Sequence, residues 1–357
     1  MTVHQNTRRT GGNEVLDNSF ITPGRFRELD GLRGIAAITV VLYHFGMPAG
    51  GAPGPYDISW GELGVQLFFI ISGYVILLTA IKSANALSFV ISRFSRLYPT
   101  YWLALALAAG TYFLYGNPHR NITAMQTLVN TTMFQRFFLV DNVDQVYWTL
   151  AVELQFYALM TVYLLFRRGT VYRRELVVGM LIWVFMGSIL CVVFHPEAAL
   201  SGVPKMLVWA VVAEHAPLFS LGMVLFMYSH DRRFTLLIPL FSLVASLNAW
   251  LMHDAVHGIG VALICVAFFA VIYVKNVPWL AHGPLNFLGQ ISYPLYLNHE
   301  MFGYMLIDIF VPVLGVWGGR VLALVIVILW AYLMHRTVET RLSSALRKSL
   351  QGKLVKS

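Results

Sequence analysis

Eight ionisable side chains sit inside strongly apolar runs of this sequence: Arg33, His44, Glu153, Glu214, His215, His299, Glu300 and Asp308. A charge at the centre of a lipid-spanning helix costs about 2.5–3.5 kcal/mol on insertion scales, so such residues mark pathways or reaction sites. No HExxH spacing and no serine nucleophile elbow is present. The two cysteines, Cys191 and Cys265, lie in separate apolar runs, which excludes a disulfide framework and a cysteine metal site. The ionisable set is made of imidazoles, carboxylates and an arginine, the last a group that grips anions.

Spacing organises these residues. Arg33 and His44 are eleven positions apart, about 20° past three full helical turns, so both project from one face roughly 16 Å apart along the axis. Arg93 and Arg96, in "SRFSRLYPTYW", share a face at i,i+3. Guanidinium groups fork onto phosphate oxygens, and with Arg33 these two make a phosphate cradle. Each arginine also has a plainer reading as an interfacial anchor, as His44 does as a hydrogen bond between helices. Glu153 and Tyr157, at i,i+4 in "YWTLAVELQFY", share a face at a depth comparable to His44. A carboxylate beside an imidazole fixes its tautomer and raises its basicity. His299 follows Pro294 in "ISYPLYLNHE", and broken membrane helices often border cavities. Gln66 and Gly73, in "GVQLFFIISGY", add an amide and a site of close helix approach. Glu214 and His215 lie near mid-membrane with no assigned role.

The elements that must position them follow from composition. The 357 residues are 58% hydrophobic and 12% charged, with a mean hydropathy of +0.67, whereas soluble domains carry roughly 25% charged residues. This is an all-α polytopic membrane protein with about ten transmembrane helices. A span needs about 20 apolar residues. The candidates are 31–49, 62–81, 97–115, 148–166, 175–194, 205–228, 235–252, 257–274, 285–310 and 320–334. With both termini cytoplasmic, twenty Lys and Arg fall inside and four outside, Arg33 lying within the first span. The net charge of +8 is therefore topological, and nucleic acid is not an expected partner. Residues 1–30 read as a polar tail without an apolar leader, residues 31–334 as one membrane domain, and residues 335–357 as a basic tail.

The runs "LDGLRGIAAITVVLYHF", "GVQLFFIISGYVI", "RFSRLYPTYW", "YWTLAVELQFY" and "ISYPLYLNHE" together resemble the acyltransferase 3 family of integral membrane O-acyltransferases, in the family's order and across nearly the whole chain. The resemblance carries the Arg-x10-His motif onto Arg33 and His44, the RxxR motif onto Arg93 and Arg96, and the Trp-Ser/Thr-Leu-x-x-Glu motif onto Trp148, Thr149, Leu150 and Glu153. Two departures stand out. Gln66 occupies a position where many members carry Asp, and "VETRL" lacks a proline that often follows the family's Glu-basic pair. The resemblance implies a bacterial inner (plasma) membrane enzyme with no bound cofactor. Its donor substrate is acyl-CoA, with acetyl-CoA the leading choice, and its acceptor a carbohydrate or glycolipid hydroxyl reached from the outer side. On this reading Arg33, Arg93 and Arg96 bind acyl-CoA. His44 acts as general base, or as a covalent acyl carrier. Glu153 orients His44 or positions the acceptor, and Tyr157, His299 and Gln66 line the acceptor cavity. The rival class is a transporter or flippase of a lipid-linked sugar, which would also use broken helices and paired polar residues.

Overall fold

The computed structural model describes residues 9–10, 13–18, 26–49, 54–116, 121–193, 209, 211–274 and 276–354. Its contacts divide into two compact units. One comprises Met1–Arg25, Phe69–Val90 and Gln155–Lys275, the other Phe26–Phe68, Ile91–Leu154 and Asn276–Ser357.

Helices dominate: α1 (Arg27–Gly46), α2 (Gly64–Lys82), α3 (Ala86–Tyr115), α4 (Ala124–Asn130), α5 (Trp148–Phe166), α6 (Arg173–Val193), α7 (Ala216–Asp231), α8 (Leu237–Met252) and α9 (Ala255–Val274). The C-terminal part adds α10 (Pro278–Ala281), α11 (Gly283–Gln290), α12 (Ser292–Asn298), α13 (Met301–Met334), a π-wound stretch at His335–Leu342, and α14 (Ser343–Leu354). Five helical stretches among the described residues are long and apolar enough to cross a membrane: Ser59–Lys82, Gln145–Phe166, Arg173–Val193, Ala255–Val274 and Met301–Gly352. On α6, exposed Val178, Ile182, Phe185 and Ile189 form an apolar stripe at helical spacing, while Leu176, Met180, Val184 and Cys191 are buried. That is how a lipid-facing helix divides its surface.

The structure differs from the sequence reading in three places. α3 begins at Ala86 and runs through Pro99, so Arg93 and Arg96 lie inside one continuous helix. The sixth span, expected at 205–228, is helical over Ala216–Asp231, and residues 205–208 and 210 lie outside the described ones. The ninth, expected at 285–310, is three helices. Pro294 has no N–H to give the carbonyl of Gln290, and the helix breaks at Ile291. A second break falls at His299–Glu300, where the Asn298 side chain takes the Pro294 carbonyl at 2.7 Å.

In the first unit, β2 (Asn13–Leu16) pairs antiparallel with β1 (Arg9–Thr10) and with β3 (Val171–Tyr172). Buried Arg173 joins the carboxylates of Glu14 and Asp231 there. In the second unit, Ala37, Val41 and Phe45 of α1 pack with Ile291, Leu295, Ile307, Val311, Ala323 and Val327. Lipid offers no hydrophobic contrast to drive this, so small residues and close backbone approach do the work. Gly34 and Gly289 carry that approach. A Cβ on Gly34 would meet the carbonyl oxygen of Leu285, and one on Gly289 that of Asp30, so α1 and α11 touch backbone to backbone. Gly315, at φ 74°, breaks α13 and folds its two halves into a hairpin, with Gly319 against the Val311 backbone.

Candidate active site

α1 carries Arg33 and His44 as the helical period requires. Its C-terminal carbonyls are capped by a guanidinium: Arg320 Nε donates to Phe45 O at 2.8 Å and Nη2 to Met47 O at 3.0 Å. Arg320 is buried, and its charge faces the negative end of α1.

The break at His299–Glu300 turns the His299 ring onto His44. The ring centroids are 4.9 Å apart and nearly perpendicular. His299 Nδ1 is 2.7 Å from the carbonyl of Tyr296. A carbonyl only accepts, so Nδ1 carries the proton and Nε2 holds a lone pair. That lone pair is 3.2 Å from His44 Nδ1. His44 Nδ1 is also 2.9 Å from the carbonyl of Val40. Both neighbours accept, so His44 Nδ1 is the protonated nitrogen and its Nε2 is left unprotonated. The tautomer of His44 is set by a backbone carbonyl and a second imidazole, an arrangement that leaves a basic nitrogen for a substrate proton.

Around the pair lie carboxylates. The charges of Asp144 and Glu62 act on His44. Asp144 accepts from Val146 N at 3.2 Å and Met301 N at 3.0 Å, and Glu300 accepts from Val146 N at 3.2 Å. These two buried acids pin the 299–301 break to the turn before α5. The Thr149 and Tyr296 hydroxyls are 3.0 Å apart and both reach the carbonyl of Val146. Glu62 lies one helical turn before Gln66 and hydrogen-bonds Tyr43, the neighbour of His44. An acid is thus supplied from position 62 near the imidazole, although position 66 is an amide.

At the other end of α1, Arg33 is 3.9 Å from Asp30, and the charges of Arg96, Glu153 and Glu339 also act on it. Arg96 reaches Glu339 at 4.0 Å, and His335 donates from Nδ1 to Glu339 at 2.8 Å. The charge of Glu153 acts on Tyr296 as well. Arg93 donates to Ser92 at 3.5 Å. The Gln66 amide donates to the carbonyls of Glu62 and Leu63, at 3.3 and 3.2 Å. Tyr157 lies in the first unit, its ring against Phe89. Glu214, in that unit too, meets His253 at 2.9 Å.

Residues 26–336 match the family model described as an acyltransferase domain. The chain belongs to the acyltransferase 3 family. It is 25% identical over 309 residues to O-acetyltransferase OatA of Staphylococcus aureus, covering 76% of this chain and 49% of that protein. It is 30% identical over 160 residues to peptidoglycan O-acetyltransferase OatA of Listeria monocytogenes, covering 38% of this chain and 24% of that one. The chain thus spans about half the length, or less, of these acyltransferase relatives. No solved structure matches. Family membership and the five long apolar helices among the described residues agree with an integral membrane protein.

Asp144 and Glu62 are the residues that sequence reasoning missed. Glu62 was findable, because it precedes Gln66 by four positions and shares its helix face. Asp144 sits in the polar run "DNVDQV", where nothing signals burial.

Proposed function

We propose that this acyltransferase moves an acyl group, acetyl foremost, from cytoplasmic acyl-CoA to a hydroxyl of a carbohydrate or lipid-linked glycan at the outer side of the bacterial plasma membrane. The observation that carries the reading is the tautomer of His44, which leaves Nε2 as a base near one end of α1, while Arg33, on which the charge of Arg96 acts, lies toward the other. The acceptor oxygen attacks the thioester carbonyl while its proton passes to His44 Nε2. The carbon–sulfur bond breaks, and the proton leaves with the CoA thiolate. Arg33 and Arg96 orient the donor, together with Arg93. Glu153, whose charge acts on Arg33 and on Tyr296, positions the reacting groups. Ten spans with both termini cytoplasmic give the donor and acceptor opposite entrances.

The test is CoA thiol release in proteoliposomes supplied with acetyl-CoA and a cell-wall glycan acceptor. His44→Ala should lower turnover by about 10²–10⁴-fold, the usual worth of a general base. Turnover equal to that of the unaltered protein would sink the mechanism. Glycan movement without thiol release would favour the transporter reading, which the broken helix at His299–Glu300 also suits.

A further inference from the structure

The second unit contains a cavity of about 440 Å³ between α11 and the C-terminal end of α13, lined by Phe287, Gln290, Tyr332, His335, Arg336 and Arg341 among others. Ligand pockets generally measure about 300–1,000 Å³. Its charge is the unusual property. Arg33 has Asp30 beside it and Arg96 has Glu339. By contrast, neither Arg336 nor Arg341 meets a carboxylate among the described residues. Glu339, the one acid on the His335–Leu342 stretch, is turned toward His335 and Arg96 and does not line the cavity.

The backbone explains how two guanidiniums come to share the cavity. Positions five apart on an α-helix differ by about 500°, which leaves them some 140° apart around the axis. The π-wound stretch bonds i to i+5, so residues five apart come into near register. This winding brings Arg336 and Arg341 to one side. The rest of the lining suits a flat, nitrogen-rich ring. Phe287 and Tyr332 lie 5.9 Å apart, tilted by 43°. Arg336 donates to the Tyr332 hydroxyl at 3.4 Å and lies 5.8 Å from that ring's centroid. Gln290 Nε2 donates to Asn286 at 2.8 Å, leaving its amide oxygen to accept from an exocyclic amine.

We propose that this cavity holds the phosphorylated adenosine end of the acyl-CoA donor, with Arg336 and Arg341 on its phosphates and Phe287 and Tyr332 along the base. The inference rests on the acyl-CoA reading above, and adds a nucleotide site that is joined through His335 and Glu339 to Arg96. Arg33 and Arg96, already balanced by carboxylates, then face the pantetheine arm and thioester, and the unbalanced pair takes the phosphate charge.

The test measures CoA affinity for the full chain in nanodiscs of zwitterionic lipid. Arg336→Gln/Arg341→Gln should raise the Kd for CoA at least about tenfold, the worth of one charge-assisted hydrogen bond. Arg336→Lys/Arg341→Lys should fall between the two, keeping charge and losing the fork. Dephospho-CoA, which lacks the 3′-phosphate, should bind the unaltered protein more weakly than CoA, a comparison that needs no variant. Equal CoA affinity in the glutamine variant overturns the inference and leaves the donor reading standing, as does equal affinity of the unaltered protein for CoA and dephospho-CoA. Absence of CoA binding to the unaltered protein overturns both. If native mass spectrometry finds phosphatidylglycerol retained by the unaltered protein and lost from the glutamine variant, with CoA affinity equal, the cavity is a lipid headgroup site and the nucleotide assignment fails.

Discussion

Replacing His299 by alanine tests the imidazole pair. The substitution removes one of two acceptors of the His44 Nδ1 proton, the lone pair at 3.2 Å, and leaves the Val40 carbonyl at 2.9 Å. The tautomer therefore survives. What is lost is the second hydrogen bond to His44 when its ring becomes positively charged in the transition state. A hydrogen bond to a charged group contributes about 1.5–3 kcal/mol. At about 1.4 kcal/mol per factor of ten, turnover should fall by roughly 10–150-fold. Loss of the correct tautomer in a hydrolase triad costs far more, about 10⁴-fold. The assay is initial-rate thiol release at saturating donor and acceptor, on protein shown to be monodisperse and to melt cooperatively. A His299→Ala variant as inactive as His44→Ala would refute the claim that the Val40 carbonyl suffices to hold the tautomer once His299 is gone. One with unaltered turnover would refute the positioning role of His299.

Other outcomes are expected elsewhere. Gly289→Ala should cost at least about 1–3 kcal/mol, because the new methyl meets the immovable Asp30 carbonyl; a melting temperature equal to that of the parent would contradict the backbone contact. Asp144→Asn should destabilise by about 1–3 kcal/mol, since an amide nitrogen would face the N–H of Val146 or Met301. Chemical denaturation in detergent reads this out, and an unchanged midpoint would deny the carboxylate its pinning role. Arg173→Ala should cost about 3 kcal/mol, near the low end for a broken buried ion pair, because Arg233 still reaches Glu14 at 2.9 Å. Limited proteolysis near β3 should then accelerate, and equal cleavage rates would count against the network.

How legible the site was depends on how far apart its residues lie in the chain. The phase of Arg33 and His44 follows from helical period alone, and α5 occupies the 148–166 expected of it. Gly34 within the first span is a packing requirement met only once α11 is in place, and no local pattern announces it. The contact of His299 with His44 crosses 255 positions, and topology places both only at similar depth. Its cause is the break after Asn298, where a side-chain amide captures a backbone carbonyl. Hydropathy registers an apolar run there and is blind to the interruption. Asp144 was hidden for the opposite reason, since a buried acid inside a polar segment looks like any loop residue. The π-winding at His335–Leu342 has no periodic signature over eight residues.

The junction of α1 with α11 has an evolutionary consequence. Side chains in contact can drift together, one shrinking as the other grows, and such compensation records their proximity in a lineage. Gly34 and Gly289 each face a main-chain oxygen, which no substitution can move or shorten. A change at either position has no partner able to answer it. The segment that carries the proposed base is therefore held by a contact that selection can keep or lose but not renegotiate, and that compensating pairs of residues would not reveal.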